Sequence, residues 1–222
     1  MIVRVGFDMD CVFADFAKAH RDVEATLFGR PAAAAAVAND ARSRAPEDPA
    51  REYRRRRPRE QAVWDTIRDT SDFWVALDPI APGAVRRLQA LVLERGWEVF
   101  FVTERPPSGD SVQRQTQRWL IDQGFDMPSV LPVSHPRTTL LSALSLHHYV
   151  DDDAANCVDV KSACGATPIL IVRDDDVVAV SSARRLGIAT APGIAAALDI
   201  LEAVTDKEVP QPLQPAAVER SR

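Results

Sequence analysis

A chain of 222 residues, 46% hydrophobic and 27% charged, has the balance of an ordinary globular protein and the length for one domain with a substantial insertion. Its net charge of −5 gives no reason to expect nucleic acid or an anionic membrane as partner. No apolar run reaches bilayer length, and Arg4 interrupts the first one too early for a signal peptide. Three cysteines, Cys11, Cys157 and Cys164, form no framework spacing, which points to a reduced, cytoplasmic setting. The histidines, His147 and His148 among them, lack a zinc pattern and read as structural.

The run Ile2 to Phe7 predicts a strand buried on both faces, ending in Asp8-Met9-Asp10. Ala14 to Phe28 predicts a helix stopped by Gly29-Arg30-Pro31. The alanine run from Ala32 to Ala38 is helix-prone with little to bury. Pro46, Pro49 and Pro58 are expected to break the next stretch into short pieces around Arg54 to Arg57, a solvated helical face or a basic rim for an anion. Glu60 to Leu77 regains helical character and brings in Trp64, Phe73 and Trp74. Residues 17–78 thus read as a small helical cap inserted between the first strand and the rest of the sheet.

From Pro79 the rhythm becomes alternating helix and strand. A helix from Ala84 to Arg95 precedes a strand from Trp97 to Val102 that ends at Thr103. A helix capped by Asp110 or Ser111 runs to Gln123, and Val130 to Val133 forms a short strand. Thr138 to Leu146 is helical, and His148 to Val150 is a strand ending in Asp151-Asp152-Asp153. The helix Ala154 to Ala163, the strand Ile169 to Val172 and a helix from Gly193 to Val204 complete the pattern, with a disordered tail over 205–222. Repeated β-α units predict an α/β fold, a Rossmann-like doubly wound parallel sheet built from 1–16 and 79–204.

Three strands of such a sheet end in polar side chains: Asp8 and Asp10, Thr103, and Asp151 to Asp153. A parallel sheet gathers those ends at one edge, where open α/β sheets place their ligands. Two carboxylates one residue apart repel each other unless a proton or a hard cation such as Mg²⁺ lies between them. The same pair can also serve a helix-capping turn, so this stretch alone leaves both readings open.

In order, these segments resemble the motifs of the haloacid dehalogenase-like hydrolase superfamily. Phe7-Asp8-Met9-Asp10 is similar to its first motif, Phe101-Val102-Thr103 to its second and Val150-Asp151-Asp152 to its fourth. The third motif is normally a lysine; none stands between Lys18 and Lys161, and the best-placed cation is Arg137. Cys11 stands where a glycine is customary. Asp72-Phe73-Trp74, Pro82-Gly83-Ala84 and Gln115 to Leu120 resemble the 5′(3′)-deoxyribonucleotidase-like branch.

The resemblance implies an Mg²⁺-dependent phosphate monoester hydrolase acting through an aspartyl phosphate, a 5′-nucleotidase in its narrowest form. Asp8 is then the nucleophile and Asp10 the acid and base, with Asp8, Asp10 (through its backbone carbonyl) and Asp152 holding the metal. Thr103 and Arg137 bind phosphate, Asp151 orients ligands from behind, Asp153 caps a helix, and Phe16, Phe73 and Trp74 line a substrate pocket. The expected partner is a small phosphorylated substrate such as a nucleoside monophosphate, with a homodimer as candidate assembly. Two alternatives stay open, a phosphatase of another small ester and a catalytically silent interaction protein.

Overall fold

The computed structural model describes residues 2–29, 49–133, 137–172 and 176–208, and the side chains of 49–56, 207 and 208 are not described. Six parallel strands form one sheet in the order β3-β2-β1-β4-β5-β6. They are β1 (Arg4–Asp8), β2 (Glu98–Thr103), β3 (Ser129–Pro132), β4 (His148–Asp151), β5 (Thr167–Ile171) and β6 (Ala189–Ala191). The helices are α1 (Phe16–Phe28), α2 (Pro49–Asp69), α3 (Ala84–Arg95), α4 (Val112–Asp122), α5 (Thr138–Leu144), α6 (Ala154–Ala163), α7 (Val177–Arg185) and α8 (Ile194–Glu208).

β1 lies at the centre because Val5, Gly6 and Phe7 can be buried on both sides. Side chains from β1, β2, β4 and β5 pack with α3, α4 and α8 into the main core. Val102 and Tyr149 pack with α5 and α6 on the opposite face, and α7 extends that layer through Ala183. The register sets Phe7 beside Val150 and Asp8 beside Val102. Asp8 and Asp151 therefore emerge side by side, with Thr103 one residue further along. The strand order reverses between β1 and β4, the crevice where doubly wound sheets bind ligands.

α1 and α2 stand between β1 and β2 in the chain. The chain leaves and re-enters the sheet through a paired stem, with Asp15 N donating to Asp78 O and Ile80 N to Phe13 O, both at 2.8 Å. Asp15 caps α1 by accepting from Lys18 N. The proline reading is corrected here: Pro49 is the first residue of α2 and Pro58 lies inside it. Pro49 suits a first turn, whereas Pro58 removes one helical hydrogen bond. The helix continues past it because Val63 and Ile67 are buried in the core. Arg54 to Arg57 fall within α2, while the alanine run 32–38 and Pro46 lie outside the described residues.

α7 and β6 were not assigned from sequence; α7 begins at the Asp176 cap. α8 continues to Glu208, so 205–208 are helical and the remainder of the expected tail, 209–222, lies outside the described residues. Ion pairs from Arg87 to Asp199 and Glu202, and from Arg95 to Asp206, hold α8 against α3. His147 accepts from Arg4 N through Nδ1 and His148 is buried in β4, both structural places. No disulfide joins the three cysteines, and no helix among the described residues is long and apolar enough to cross a membrane.

Gly6 shows how tightly the centre is packed. A Cβ at this position would lie 2.6 Å from Leu146 Cδ1 and 2.8 Å from Tyr149 Cδ2. Gly6→Ala is expected to destabilise the protein by about 1–3 kcal/mol through overpacking. Chemical denaturation of the variant beside the parent checks this.

Candidate active site

A cavity of about 260 Å³ opens at the strand reversal, lined by Asp8, Asp10, Cys11, Phe16, Trp64, Trp74, Glu104, Arg137, Asp151, Asp152, Asp153 and Asn156. The turn that follows β1 puts the first two carboxylates there. Phe13 N and Ala14 N both donate to Met9 O at 3.0 Å, folding the chain back sharply after Asp10. Cys11 carries φ of 61°, the left-handed region in which glycine would be unstrained. The turn expected of a glycine is thus kept, at a steric cost of about 1–2 kcal/mol.

Arg137 is buried, not a surface cap, and its guanidinium reaches across the sheet edge. Nη1 donates to Asp8 Oδ1 at 3.0 Å, Tyr149 Oη at 2.9 Å and Asp151 Oδ2 at 3.0 Å. Nη2 lies 3.9 Å from Glu104 Oε2, too far for a hydrogen bond. Nε has no partner among the described residues. One corner of the fork is anchored, and the remainder keeps donor capacity beside the cavity. Burial opposes the charge on Arg137, but contact with Tyr149, Asp8 and Asp151 holds the guanidinium above its ordinary value.

Burial pushes the Asp8 carboxyl well up, and the charges of Asp151, Asp10 and Asp152 push it further against the pull of Arg137. Burial raises Asp151 as well, while Arg137 and hydrogen bonds from Asp153 N and Asn156 Nδ2 draw it down. Asp151 thereby ties Arg137, the α6 entry and Asn156 together. Asp153 accepts from Ala155 N at 2.7 Å and caps α6, as anticipated.

The sequence reading missed Arg105. Its side chain is fully buried and grips Asp10, with Nε at 2.9 Å from Oδ2 and Nη2 at 2.7 Å from Oδ1. It also missed Trp64, which stacks on Phe16 with centroids 5.6 Å apart and borders the cavity. Trp74 joins this aromatic wall. Phe73 does not border the cavity; it is buried and meets Trp74 edge to face at 5.0 Å. Thr103 is completely buried and does not border it either, and its hydroxyl has no partner among the described residues.

The wall carries six acidic side chains and the guanidinium of Arg137, with Arg105 behind it paired to Asp10. No three acidic, histidine or cysteine side chains among the described residues form a ready cage. Mg²⁺ does not need one: it keeps several waters and takes one or two carboxylates together with substrate phosphate. Asp8 and Asp152, hard oxygen donors on the same wall, fit that requirement. Arg105 engages both Asp10 oxygens and leaves each a lone pair, and the Asp10 backbone carbonyl is a further oxygen on the same turn.

The raised Asp8 carboxyl has a consequence for stability. A carboxyl that holds its proton more tightly folded than unfolded contributes stability below about pH 4, its unfolded value, and loses it as pH rises through the folded value. In chelated protein, Asp8→Asn should therefore raise Tm by a few degrees at pH 7, with a gap that narrows as pH falls towards 4. Thermal melts across this range in EDTA check the sign.

No family sequence model and no curated protein matches the chain. Solved structures do match it. A HAD family hydrolase from Deinococcus radiodurans R1, with bound phosphate and sodium, aligns at a TM-score of 0.57 and 15% identity, over 95% of this chain and 98% of that one. A candidate haloacid dehalogenase-like hydrolase from Burkholderia xenovorans LB400 gives 0.52 and 17%, over 94% and 99%. A candidate beta-phosphoglucomutase from Thermotoga maritima gives 0.50 and 17%, over 91% and 100%. The chain therefore has the α/β fold of haloacid dehalogenase-like hydrolases, a Rossmann-like six-stranded parallel sheet with helices on both faces.

Proposed function

We propose that this protein is a Mg²⁺-dependent phosphate monoester hydrolase that works through an aspartyl phosphate on Asp8. The observation that carries the reading is the meeting of Asp8, Asp10 and Arg137 on one cavity wall at the strand reversal. Fold similarity to a hydrolase with bound phosphate supports it. Asp8 attacks phosphorus as the bond to the leaving oxygen breaks. Asp10 gives that oxygen a proton, then takes one from the water that cleaves the aspartyl phosphate and releases inorganic phosphate. Arg137, anchored to Asp8 through Nη1, offers its remaining donors to phosphoryl oxygens. Mg²⁺ held by Asp8, Asp152 and the Asp10 carbonyl would supply the charge neutralisation that lets an anionic ester approach a carboxylate.

The leaving group faces Phe16, Trp64 and Trp74. A wall of three aromatic rings suits a planar group, and a nucleoside monophosphate brings one. The cavity, about 260 Å³, lies just under the usual range of roughly 300–1,000 Å³. That size favours a second reading at the same site, a phosphatase of a smaller monoester. Thr103, buried behind the wall, serves phosphate on this reading only through a local rearrangement.

A panel of nucleoside monophosphates, sugar phosphates and an aryl phosphate, assayed with Mg²⁺ and with EDTA, tests the proposal. Hydrolysis that EDTA abolishes and Asp8→Asn eliminates is expected; absence of turnover on the whole panel refutes it. Arg137→Ala should cut kcat by about 10²-fold or more, the scale of losing one transition-state charge partner. Arg137→Lys should fall between that variant and the parent. Steady-state kinetics of the two variants decide the role of this side chain.

A further inference from the structure

Arg105 is the buried charged group to which the reaction above assigns nothing. Its side chain has no exposure, and water cannot repay the cost of burying a guanidinium. Every direction of its fork is used. Nε and Nη2 hold both oxygens of Asp10, and Nη1 donates to Thr116 Oγ1 of α4 at 2.8 Å. Its Cζ lies 4.7 Å over the ring of Trp74, on the aromatic wall. The backbone that carries it is the β2–α4 loop, two residues past the end of β2 at Thr103.

We infer that Arg105 is a positioning residue, which sets the carboxylate of Asp10 for proton transfer to the leaving group and braces Trp74, the wall against which that group rests. A bidentate fork takes one lone-pair site on each carboxylate oxygen and fixes the carboxylate plane. The other sites stay available on the cavity side, where Asp10 is still partly exposed. Lysine, a point charge, could hold Asp10 but not its plane. With no exposure and no place on the cavity wall, Arg105 is set apart from the phosphate.

This inference rests on the phosphatase reading, and the test separates the two. The measurement compares an alkyl phosphate monoester, whose leaving group needs a proton, with p-nitrophenyl phosphate, whose leaving group needs much less help. In Arg105→Met, kcat/KM for the alkyl ester should fall about 10²-fold, the contribution of a positioned general acid. For the aryl ester it should fall by less than about tenfold, because kcat/KM reads only the steps up to loss of the leaving group and not the water attack that both esters share. Arg105→Lys should recover part of the difference. In an Asp10→Asn background, Arg105→Met should leave the ratio of the two rates unchanged, since the group it positions is already gone. Equal losses on both esters, or a further shift in the Asp10→Asn background, would overturn the inference. Thr116→Val removes the outer anchor with little change of volume. It should move the ratio in the same direction, and an unchanged ratio there counts against the role even where Arg105→Met does not fold. A parent protein inactive on both esters sinks the phosphatase reading itself.

Discussion

The structure depends on one electrostatic constraint. Parallel strands send their carboxyl ends to a single edge, and here that edge collects Asp8, Asp10, Asp151 and Asp152 around one cavity. Such a cluster is stable only if its charge is divided among partners. Arg137 takes Asp8 and Asp151, and Arg105 takes Asp10. The division is unequal: Asp10 has a guanidinium to itself, while Asp8 and Asp151 share one, and the Asp8 carboxyl is pushed well up.

The two arginines also connect the edge to the layers behind it. Arg137 hydrogen-bonds Tyr149, which packs with α5 and α6 on one face of the sheet. Arg105 reaches Thr116 of α4 and covers Trp74 on the other. Trp74 is fixed again by Gln115, which accepts its backbone N–H at 3.1 Å, and by Pro106 O, which accepts Nε1 at 3.0 Å. The aromatic wall is therefore bolted to the β2–α4 loop, the same loop that carries Arg105. Arg105 and Trp74 are held by one short segment, and a displacement of that loop would disturb both.

Much of this was legible in the chain because its signals are local. A doubly buried strand has a continuous apolar run, helix starts carry Asp15, Ser111 and Asp153, and Gly96 closes a helix in the left-handed region. Those elements fell within a few residues of their expected bounds. α7 and β6 did not stand out, because β6 is three residues long and α7 buries only Ala183. Pro58 misled for a physical reason: a local breaking tendency of a few kcal/mol gave way to the burial of Val63 and Ile67.

Sequence alone determined that polar side chains, carboxylates on two strands and Thr103 on a third, would end strands of a parallel sheet. Order along the chain and hydrophobic period suffice for that, since parallel strands have their ends at one edge whatever the side chains do. Only the tertiary structure decided which charges pair. Arg105 lies 95 residues from Asp10 along the chain, and nothing in its local sequence distinguishes it from other loop arginines. Trp64 and Phe73 differ little as letters, yet one borders the cavity and the other stands behind Trp74. Thr103 ends its strand where expected, but its hydroxyl is buried short of the cavity. Pairing and facing are set by register and packing across the fold, which no local pattern encodes.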